Sequence, residues 1–269
     1  MSTTVAGRDR HEAIPPVPNG TALLLLAGSS GRVESARADL LAAHGVRVRA
    51  IRWFGGAGQR PAPHEVPLEL FARQLDGLRR EADRVVVLGT SFGSEAALLS
   101  AALFPVDGVI AVAPSSVTWS GFDGRSWSSH WTVSGSPVPA VPFAPDWEPR
   151  ADPPAFRSLY EESLRRFPAE AERARIPVER IRGEVLLVAG GDDLVWPSSL
   201  FAARIAEART AHGLTTTVVE HPDAGHRLLL PGEEPATGGV SMARGGTPAA
   251  DAALGEAAWP EVRRMLGIT

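Results

Sequence analysis

Short apolar runs alternate along most of the chain with stretches in which apolar residues recur at helical spacing. The apolar runs cover residues 23–26, 46–51, 84–88, 108–112, 184–189 and 216–219. Between the first two runs, Val33, Ala36, Leu40 and Ala43 would share one face of a helix, and Gly45 follows where a C-cap glycine belongs. Strands that are apolar nearly throughout, separated by helices, are typical of a parallel sheet covered on both faces. The pattern therefore predicts an α/β fold with a mostly parallel, doubly wound sheet.

The alternation is interrupted once, between the fourth and fifth apolar runs. Residues 115–179 are rich in Trp, Ser and Pro and end in a polar helical stretch, 154–172. Because a long excursion between two strands is more often functional than accidental, we interpret it as a lid over a site. The alternative is a surface insertion whose tryptophans pack on the body. We expect one domain over 21–269 with this lid inserted, preceded by a loose, polar segment over 1–20.

Composition narrows the class of protein. The 269 residues include 27 basic and 31 acidic side chains, and a net charge of −4 disfavours a nucleic-acid partner. Cysteine is absent from the sequence, which excludes disulfides, thiolate metal sites and a cysteine nucleophile. The run at 23–26 is too short to span a membrane, and the start of the chain has no signal-peptide pattern. We therefore expect a cytoplasmic protein without a membrane or nucleic-acid partner, and the sequence does not indicate an oligomeric state.

A G-x-S-x-G pentapeptide, Gly89 to Gly93, follows the third apolar run directly and precedes a helical pattern over 94–103. In a nucleophile elbow, a strand turns at once into a helix and holds a serine at the apex in a strained backbone conformation. The flanking glycines let this turn close. The placement predicts Ser91 as a catalytic nucleophile. The alternative is an ordinary strand-to-helix turn rich in Gly and Ser.

A catalytic serine needs a base, and the base needs a carboxylate that orients it. The fifth apolar run ends in Gly190-Gly191-Asp192-Asp193, and Pro197 then begins a helical pattern. Asp193 stands in the commoner register for such an acid. Asp192 is the alternative, and in its structural role it would cap the turn or the helix start.

The base should come from a loop after the final strand. Of the seven histidines, His226 follows the flexible pair Ala224-Gly225 and can swing over the sheet edge toward Ser91. His221 stands at the strand end beside Pro222, where a structural role is more typical. The sequence contains no H-x-x-x-H pair or mixed ligand cluster, so we expect neither a metal nor a cofactor.

Two backbone N–H groups should stabilise the oxyanion that forms during acyl transfer. One expected donor is Phe92, at the start of the helix after the elbow. The other should lie in the small-residue loop after the first apolar run, where Ser29 is the first choice and Ser30 the second. The apolar part of a substrate pocket is assigned to three tryptophans: Trp53, Trp119 and Trp131. Packing of the last two in the core is the alternative.

Further short motifs are distributed from the first loop to the C-terminal helix. They are Gly28-Ser29-Ser30-Gly31, Glu34-Ser35-Ala36-Arg37, Leu40-Leu41-Ala42, His44-Gly45, Gly89-Thr90-Ser91-Phe92-Gly93, Gly191-Asp192-Asp193, Trp196-Pro197-Ser198, His212-Gly213, Pro222-Asp223-Ala224-Gly225-His226, Gly245-Gly246-Thr247-Pro248 and Ala258-Trp259. Together they resemble the C-terminal catalytic domain of acyl-CoA thioesterases and of bile acid-CoA:amino acid N-acyltransferase. The resemblance implies an α/β-hydrolase fold in which Ser91, Asp193 and His226 form a triad that acts on acyl thioesters.

The sequence departs from that family in two ways, and the second one bears on the expected chemistry. Its long members carry an additional N-terminal β-sandwich domain, which a chain of 269 residues is too short to hold. The acyltransferase uses a cysteine, whose acyl-enzyme is a thioester that amines attack readily. Ser91 would instead give an oxygen ester, suited to attack by water that His226 activates. We therefore expect a serine hydrolase of acyl-CoA or acyl-carrier thioesters. The alternatives are a carboxylester or dienelactone-type hydrolase, an acyltransferase, and a binding protein without catalysis.

Overall fold

Strands and helices alternate along the chain in the predicted order, with additional short strands. The computed structural model describes residues 5–235 and 240–269. The strands are β1 (Arg10–Ala13), β2 (Thr21–Leu26), β3 (Arg47–Ile51), β4 (Val66–Pro67), β5 (Arg84–Thr90), β6 (Gly108–Val112), β7 (Ser120–Phe122), β8 (Trp127–Ser129), β9 (Trp131–Val133), β10 (Ser136–Pro137), β11 (Glu184–Gly190) and β12 (Thr217–His221). The α-helices are α1 (Ser35–Ala43), α2 (Glu69–Arg79), α3 (Phe92–Leu103), α4 (Arg157–Arg166), α5 (Pro168–Arg173), α6 (Ser198–Thr210) and α7 (Pro248–Leu266). Within the described ranges, no helix combines the length and apolar character needed to cross a lipid bilayer.

Seven of the described strands form the central sheet, in the order β1-β3-β2-β5-β6-β11-β12. All neighbouring pairs in it are parallel except β1 with β3. The six parallel strands are those that the apolar runs predict. The expected α/β fold with a mostly parallel sheet is therefore confirmed.

Side chains of the central strands alternate between two hydrophobic cores, one on each face of the sheet. In β2, Leu24 and Leu26 belong to the core that contains residues of α2, α3 and α6. Leu23 and Leu25 belong to the other core, with residues of α1 and α7. Because both faces are covered by helices, every position of such a strand is buried, and the strands are apolar throughout.

Strands β2 and β5 are neighbours at the centre of the sheet, but the chain leaves them in opposite directions. After β2 it passes through α1 to β3 on one side, and after β5 it passes through α3 to β6 on the other. The loops at the carboxyl ends of these two strands therefore separate and leave a crevice. Open α/β sheets bind their ligands at such a switch point.

The chain between β6 and β11 leaves the sheet and forms β7 to β10, α4 and α5. This insertion is joined to the body, since β9 pairs in parallel with β4. A third hydrophobic cluster combines Trp119 and Tyr160 of the insertion with Trp196 and Phe201, which follow β11. The insertion therefore packs on the body through aromatic side chains.

The N-terminal segment differs from the expectation of a loose stretch over 1–20. Within its described part, Arg10–Ala13 form the edge strand β1, antiparallel to β3. The side chain of Asn19 donates hydrogen bonds to the carbonyl oxygens of Leu266 and Gly267, at 2.9 and 3.0 Å. The edge strand is short and only Ala13 in it is buried, so its sequence carries no apolar pattern that would predict a strand.

Candidate active site

Ser91 lies at the turn between β5 and α3, in the crevice beside β2. Its backbone has φ 58° and ψ −126°, a conformation that is strained for a residue with a side chain. A Cβ atom on Gly89 would lie 2.0 Å from the carbonyl oxygen of Gly93, and a Cβ atom on Gly93 would lie 2.5 Å from that of Ala27. Only glycine fits at these two positions. The pentapeptide is therefore required by the close approach of strand, helix and loop.

His226 and Asp193 are joined by a buried hydrogen bond, in which Nδ1 of His226 lies 2.7 Å from Oδ2 of Asp193. Asp193 is fully buried. Its Oδ1 accepts the backbone N–H groups of Val195 and Trp196, at 2.8 and 3.3 Å, and its Oδ2 also accepts the hydroxyl of Ser198. These bonds fix the carboxylate. With the proton on Nδ1, the imidazole keeps Nε2 available as a base.

Ser91 and His226 line the same cavity, whose volume is about 610 Å³. This volume is in the usual range for small-molecule sites. Both residues are 7% exposed, so each is buried but reaches the cavity surface. In the described part of the chain, no hydrogen bond joins the side chains of Ser91 and His226. Such catalytic bonds commonly tighten only when substrate binds.

The residues considered as alternatives to the acid and the base have other partners. Oδ2 of Asp192 accepts the backbone N–H of Gly246 at 2.7 Å. Nδ1 of His221 lies 3.2 Å from the backbone nitrogen of Asp223, at the end of β12. Among the residues that the structure describes, no group of three or more His, Cys, Asp or Glu could hold a metal ion. The structure therefore pairs the two preferred residues and directs the alternatives elsewhere.

The segment before α7 connects the loop of the acid with the loop of the histidine. The carbonyl oxygen of Arg244 accepts the backbone N–H groups of His226 at 2.9 Å and of Leu194 at 3.3 Å. The next residue, Gly245, has φ 69°, and a Cβ atom there would lie 1.6 Å from the carbonyl oxygen of Asp192. The glycine-rich segment before α7 therefore helps to position Asp193 and His226.

The loop after β2 packs directly on the elbow. A Cβ atom on Gly28 would lie 2.9 Å from Cβ of Ser91. Ser29 and Ser30 both line the cavity beside Ser91. Phe92 is the first residue of α3, where a backbone N–H has no partner inside the helix. These positions suit the two expected oxyanion donors, Phe92 and Ser29, whose catalytic role stays a prediction.

The three tryptophans assigned to the substrate pocket do not line this cavity. Trp53, Trp119 and Trp131 are each at most 1% exposed. Trp53 packs on Trp131 with ring centroids 5.0 Å apart and donates its Nε1–H to the carbonyl oxygen of Ala27 at 2.8 Å. Trp119 packs on Tyr160, at 4.6 Å, in the cluster of the insertion. Burial of the large indole surfaces in the core explains the difference from the prediction.

The cavity walls come from the loop after β2 with α1, from the elbow, and from the segment between His226 and α7. Val33 and Leu40 contribute apolar surface on one side, and Leu228 and Met242 contribute it from the segment after β12. The described lining residues include none from the insertion over 115–179. The insertion, predicted as a lid over the site, thus does not line this cavity with its described residues, and the segment after β12 forms that wall instead.

Four arginines line the cavity as well: Arg32, Arg37, Arg227 and Arg244. Arg37 forms a bidentate ion pair with Glu233, at 2.5 and 2.8 Å. Burial disfavours the charge of Arg37, but the carboxylates of Glu233 and, to a smaller extent, Glu34 outweigh the burial, so that the pKa of Arg37 is raised. Burial lowers the pKa of Arg244, and the positive charges of Arg227 and Arg32 lower it further. Sequence reasoning missed this cluster because its members come from distant parts of the chain.

Asp251, in the first turn of α7, is an acid at the cavity that sequence reasoning also missed. Its Oδ1 accepts the backbone N–H of Gly225 at 2.8 Å, one residue before His226. Burial raises the pKa of Asp251, and this hydrogen bond and the charge of Arg227 oppose the rise. The Thr-Pro helix start at 247–248 is the sequence signal that could have located it.

A second fully buried carboxylate, Glu95, joins the elbow helix to the insertion. Its Oε2 accepts the Nε1–H of Trp131 at 3.0 Å and the backbone N–H of Trp119 at 3.3 Å, and lies 3.3 Å from Nδ1 of His130. The ring of His130 packs on Phe92 with centroids 4.3 Å apart. An acid within the otherwise apolar pattern of α3 is the sequence signal for this network.

A mostly parallel sheet with a serine at the turn after β5, followed in chain order by an acid and a histidine on later loops, defines the α/β-hydrolase fold. The chain is similar to a putative dienelactone hydrolase from Klebsiella pneumoniae, with a TM-score of 0.57 and 13% identity, over 97% of this chain and 92% of that one. It is also similar to a probable hydrolytic enzyme from Pseudomonas aeruginosa, with a TM-score of 0.50 and 18% identity, over 96% and 88% of the two chains. At these identities the likeness concerns the fold alone.

The chain belongs to the family described as BAAT / acyl-CoA thioester hydrolase C terminal, which it matches over residues 66–267. Acyl-coenzyme A amino acid N-acyltransferase 2 of Mus musculus is 26% identical to it over 275 residues. That match covers 96% of this chain and 63% of the mouse protein, so the chain spans less than two thirds of that relative. The family resemblance of the sequence motifs is confirmed.

Proposed function

We propose that the protein is a serine hydrolase that cleaves acyl thioesters. The observation that carries the proposal is the convergence of strained Ser91, the buried Asp193–His226 pair and the Gly28 loop on one cavity. Membership of a family named for acyl-CoA thioester hydrolysis supports a thioester substrate. Acyl-CoA is the first candidate and an acyl group on a carrier protein the second. A cytoplasmic location is part of the same proposal.

In the acylation step, His226 Nε2 takes the proton of the Ser91 hydroxyl while Oγ attacks the thioester carbonyl. The negative charge that develops on the carbonyl oxygen is stabilised by the backbone N–H groups of Phe92 and Ser29. Asp193 holds the imidazole in the required tautomer and stabilises the imidazolium. The carbon–sulfur bond then breaks, the proton held by His226 passes to the departing sulfur so that the thiol leaves, and the acyl group remains on Ser91 as an oxygen ester.

In the deacylation step, His226 removes a proton from a water molecule, which attacks the ester carbonyl of acylated Ser91. The second tetrahedral intermediate uses the same two N–H donors. Ser91 leaves with the proton from His226, and the free carboxylic acid is released. Water is the preferred acceptor because an oxygen ester is less reactive toward amines than the thioester that a cysteine would form.

An esterase and an acyltransferase are the rival enzymes. The mouse relative is named as an amino acid N-acyltransferase, so transfer to an amine is the alternative that the comparisons favour specifically. Mass spectrometry of the products of an acyl-CoA incubated with glycine or taurine separates the two, and we expect free acid. An N-acyl amino acid as the dominant product would overturn the hydrolase proposal. Oxygen esters turned over tenfold better than matched thioesters, a difference of about 1.4 kcal/mol in barrier, would make the protein an esterase.

A further inference from the structure

Three arginines from separate parts of the chain line the cavity beside the proposed catalytic residues. Arg32 lies in the same loop as Ser29, and Arg227 is the residue directly after His226. The backbone carbonyl of Arg244 accepts the N–H of His226. The fold therefore brings three guanidinium groups to the site from the loop after β2, the histidine loop and the segment before α7.

The described lining of the cavity also contains four acidic side chains, which balance the four arginines in formal charge, but only two of them form an ion pair with an arginine. Two of them have an arginine partner already: Glu34 lies 2.7 Å from Arg32, and Glu233 is paired with Arg37. Glu234, the third acid of the lining, is exposed. Asp251, the fourth, accepts the backbone N–H of Gly225 at Oδ1, and the charge of Arg227 attracts its carboxylate. The paired arginines are thus Arg32 and Arg37.

Arg227 and Arg244 have no carboxylate within ion-pair distance among the described residues. Within residues 5–235 and 240–269, the side chain of Arg244 donates only to the carbonyl oxygens of Val240 and Met242, at 2.7 and 3.2 Å. No side-chain hydrogen bond of Arg227 occurs in the same part of the structure. Both residues are half-buried, so solvent screens their mutual repulsion only in part. An anion in the cavity would relieve this repulsion.

We propose that Arg227 and Arg244, with Arg32 beside them, form a subsite for an anionic group of the substrate. A guanidinium presents a planar fork of donors that matches a carboxylate or a phosphate in a bidentate manner. The subsite rests on the proposed thioesterase activity and specifies its substrate class. The anionic group is either a carboxylate on the acyl part or a phosphate of CoA.

The position of Arg227 favours the carboxylate. Arg227 is adjacent in the chain to His226, the proposed base that takes the proton of Ser91 at the reacting carbonyl. The phosphates of CoA are separated from the thioester sulfur by the whole pantetheine arm. A carboxylate at the far end of a short acyl chain is closer to the reacting carbonyl, and the apolar side chains of Leu228 and Met242 in the same wall suit the methylene groups between them.

The kinetic test compares hexanoyl and adipoyl thioesters, each on CoA and on pantetheine, with the full chain. Arg227→Gln and Arg244→Gln are measured beside Arg204→Gln, a matched control on the exposed face of α6. We expect both cavity variants to lose at least tenfold in kcat/KM on the adipoyl thioesters of either carrier, and Arg204→Gln to lose nothing. A loss confined to the two CoA thioesters also supports the subsite and identifies the group as phosphate. An equal loss on hexanoyl-pantetheine, or no loss on any substrate, would overturn it.

A binding measurement separates failure of the subsite from failure of the proposed activity. Calorimetric titration of Ser91→Ala with adipate and with pyrophosphate needs no turnover. We expect one of these anions to bind, and Arg227→Gln or Arg244→Gln in the same background to weaken it at least tenfold. If the wild type cleaves no thioester but this binding is seen, the activity is wrong and the subsite stands. Binding of neither anion, or binding that both variants leave unchanged, would contradict the subsite.

Discussion

The carboxylates of the neighbouring residues Asp192 and Asp193 are bonded to two different loops. Oδ2 of Asp193 lies 2.7 Å from the imidazole of His226, and Oδ2 of Asp192 accepts the N–H of Gly246 at 2.7 Å. One carboxylate therefore orients the proposed base, and the other ties the same turn to the segment before α7. The two side chains have similar chemistry but separable consequences.

Substitution of each aspartate by asparagine tests this separation. Asp193→Asn should lower kcat by about three to four orders of magnitude, because an amide no longer selects the tautomer of His226 that has a free Nε2. Asp192→Asn should change kcat by less than tenfold, since its amide oxygen can still accept from Gly246. Steady-state kinetics and thermal melting of both variants provide the check. If both proteins fold and Asp192→Asn loses more kcat than Asp193→Asn, then Asp192 is the acid that orients His226.

Gly28→Ala tests the proposed contribution of the loop after β2. The added Cβ would lie 2.9 Å from Cβ of Ser91 and 3.0 Å from the carbonyl oxygen of Thr90, so the loop must move away from the elbow. Displacement of the Ser29 donor should cost about a hundredfold in kcat, the usual effect of removing one oxyanion donor. Gly7→Ala is the matched control, because nothing lies within 4 Å of its added Cβ. Equal kcat values for the two variants would argue against a catalytic role of this loop.

Glu95→Ala tests the buried network that joins the elbow helix to the insertion. Removal of the carboxylate leaves His130 and the indole N–H of Trp131 without their acceptor in a fully buried setting. We expect a loss of about 3 kcal/mol or more in the free energy of unfolding. Glu256→Ala, at an exposed position of α7, should stay within about 0.5 kcal/mol of wild type. Urea denaturation measures both, and similar values for the two would mean that the network does not stabilise the fold.

Asp251→Asn tests the effect of pH on stability. Burial raises the pKa of Asp251 in the folded protein, whereas an aspartate in an unfolded chain titrates near pH ~3.9. The folded state thus binds this proton more tightly, and stability falls as the pH rises from the unfolded pKa through the folded one. The amide that replaces the carboxyl group does not ionise, while its oxygen can still accept from Gly225. The free energy of unfolding of the variant should therefore rise relative to wild type across that window and stay level above it.

Urea denaturation at a series of pH values measures this difference. Asp223→Asn, at an exposed position, is the control and should show no such trend. A difference between Asp251→Asn and wild type that is flat or falls with rising pH through the window would contradict the burial argument.

The central strands and the preferred site residues are accessible to sequence reasoning because each follows from a local rule. An apolar run such as 84–88 indicates a strand covered on both faces, and the elbow glycines on either side of Ser91 mark the turn. Strand β1 was not predicted, because a polar edge strand has no apolar pattern and is specified by its pairing with β3.

The cavity itself could not be predicted, for a different reason. Trp53 and Trp131 suggest a pocket by residue type, but their position in the core depends on how the insertion pairs with β4. Arg32, Arg227 and Arg244 become neighbours only because the loops of β2 and β12 and the segment before α7 meet at one edge of the sheet. Contacts between segments so far apart in sequence have no local signature.

Ser91 is proposed to carry the acyl group during cleavage of a thioester. The most direct measurement is the rate of thiol release from an acyl-CoA by wild type and by Ser91→Ala, together with intact-mass analysis of each protein after treatment with a fluorophosphonate. We expect Ser91→Ala to fold normally, to lose at least about three orders of magnitude in kcat, and to take up no label, while wild type is labelled at Ser91 alone. Near-wild-type thiol release by Ser91→Ala, or labelling of wild type at another residue, would contradict the role of Ser91 as the nucleophile.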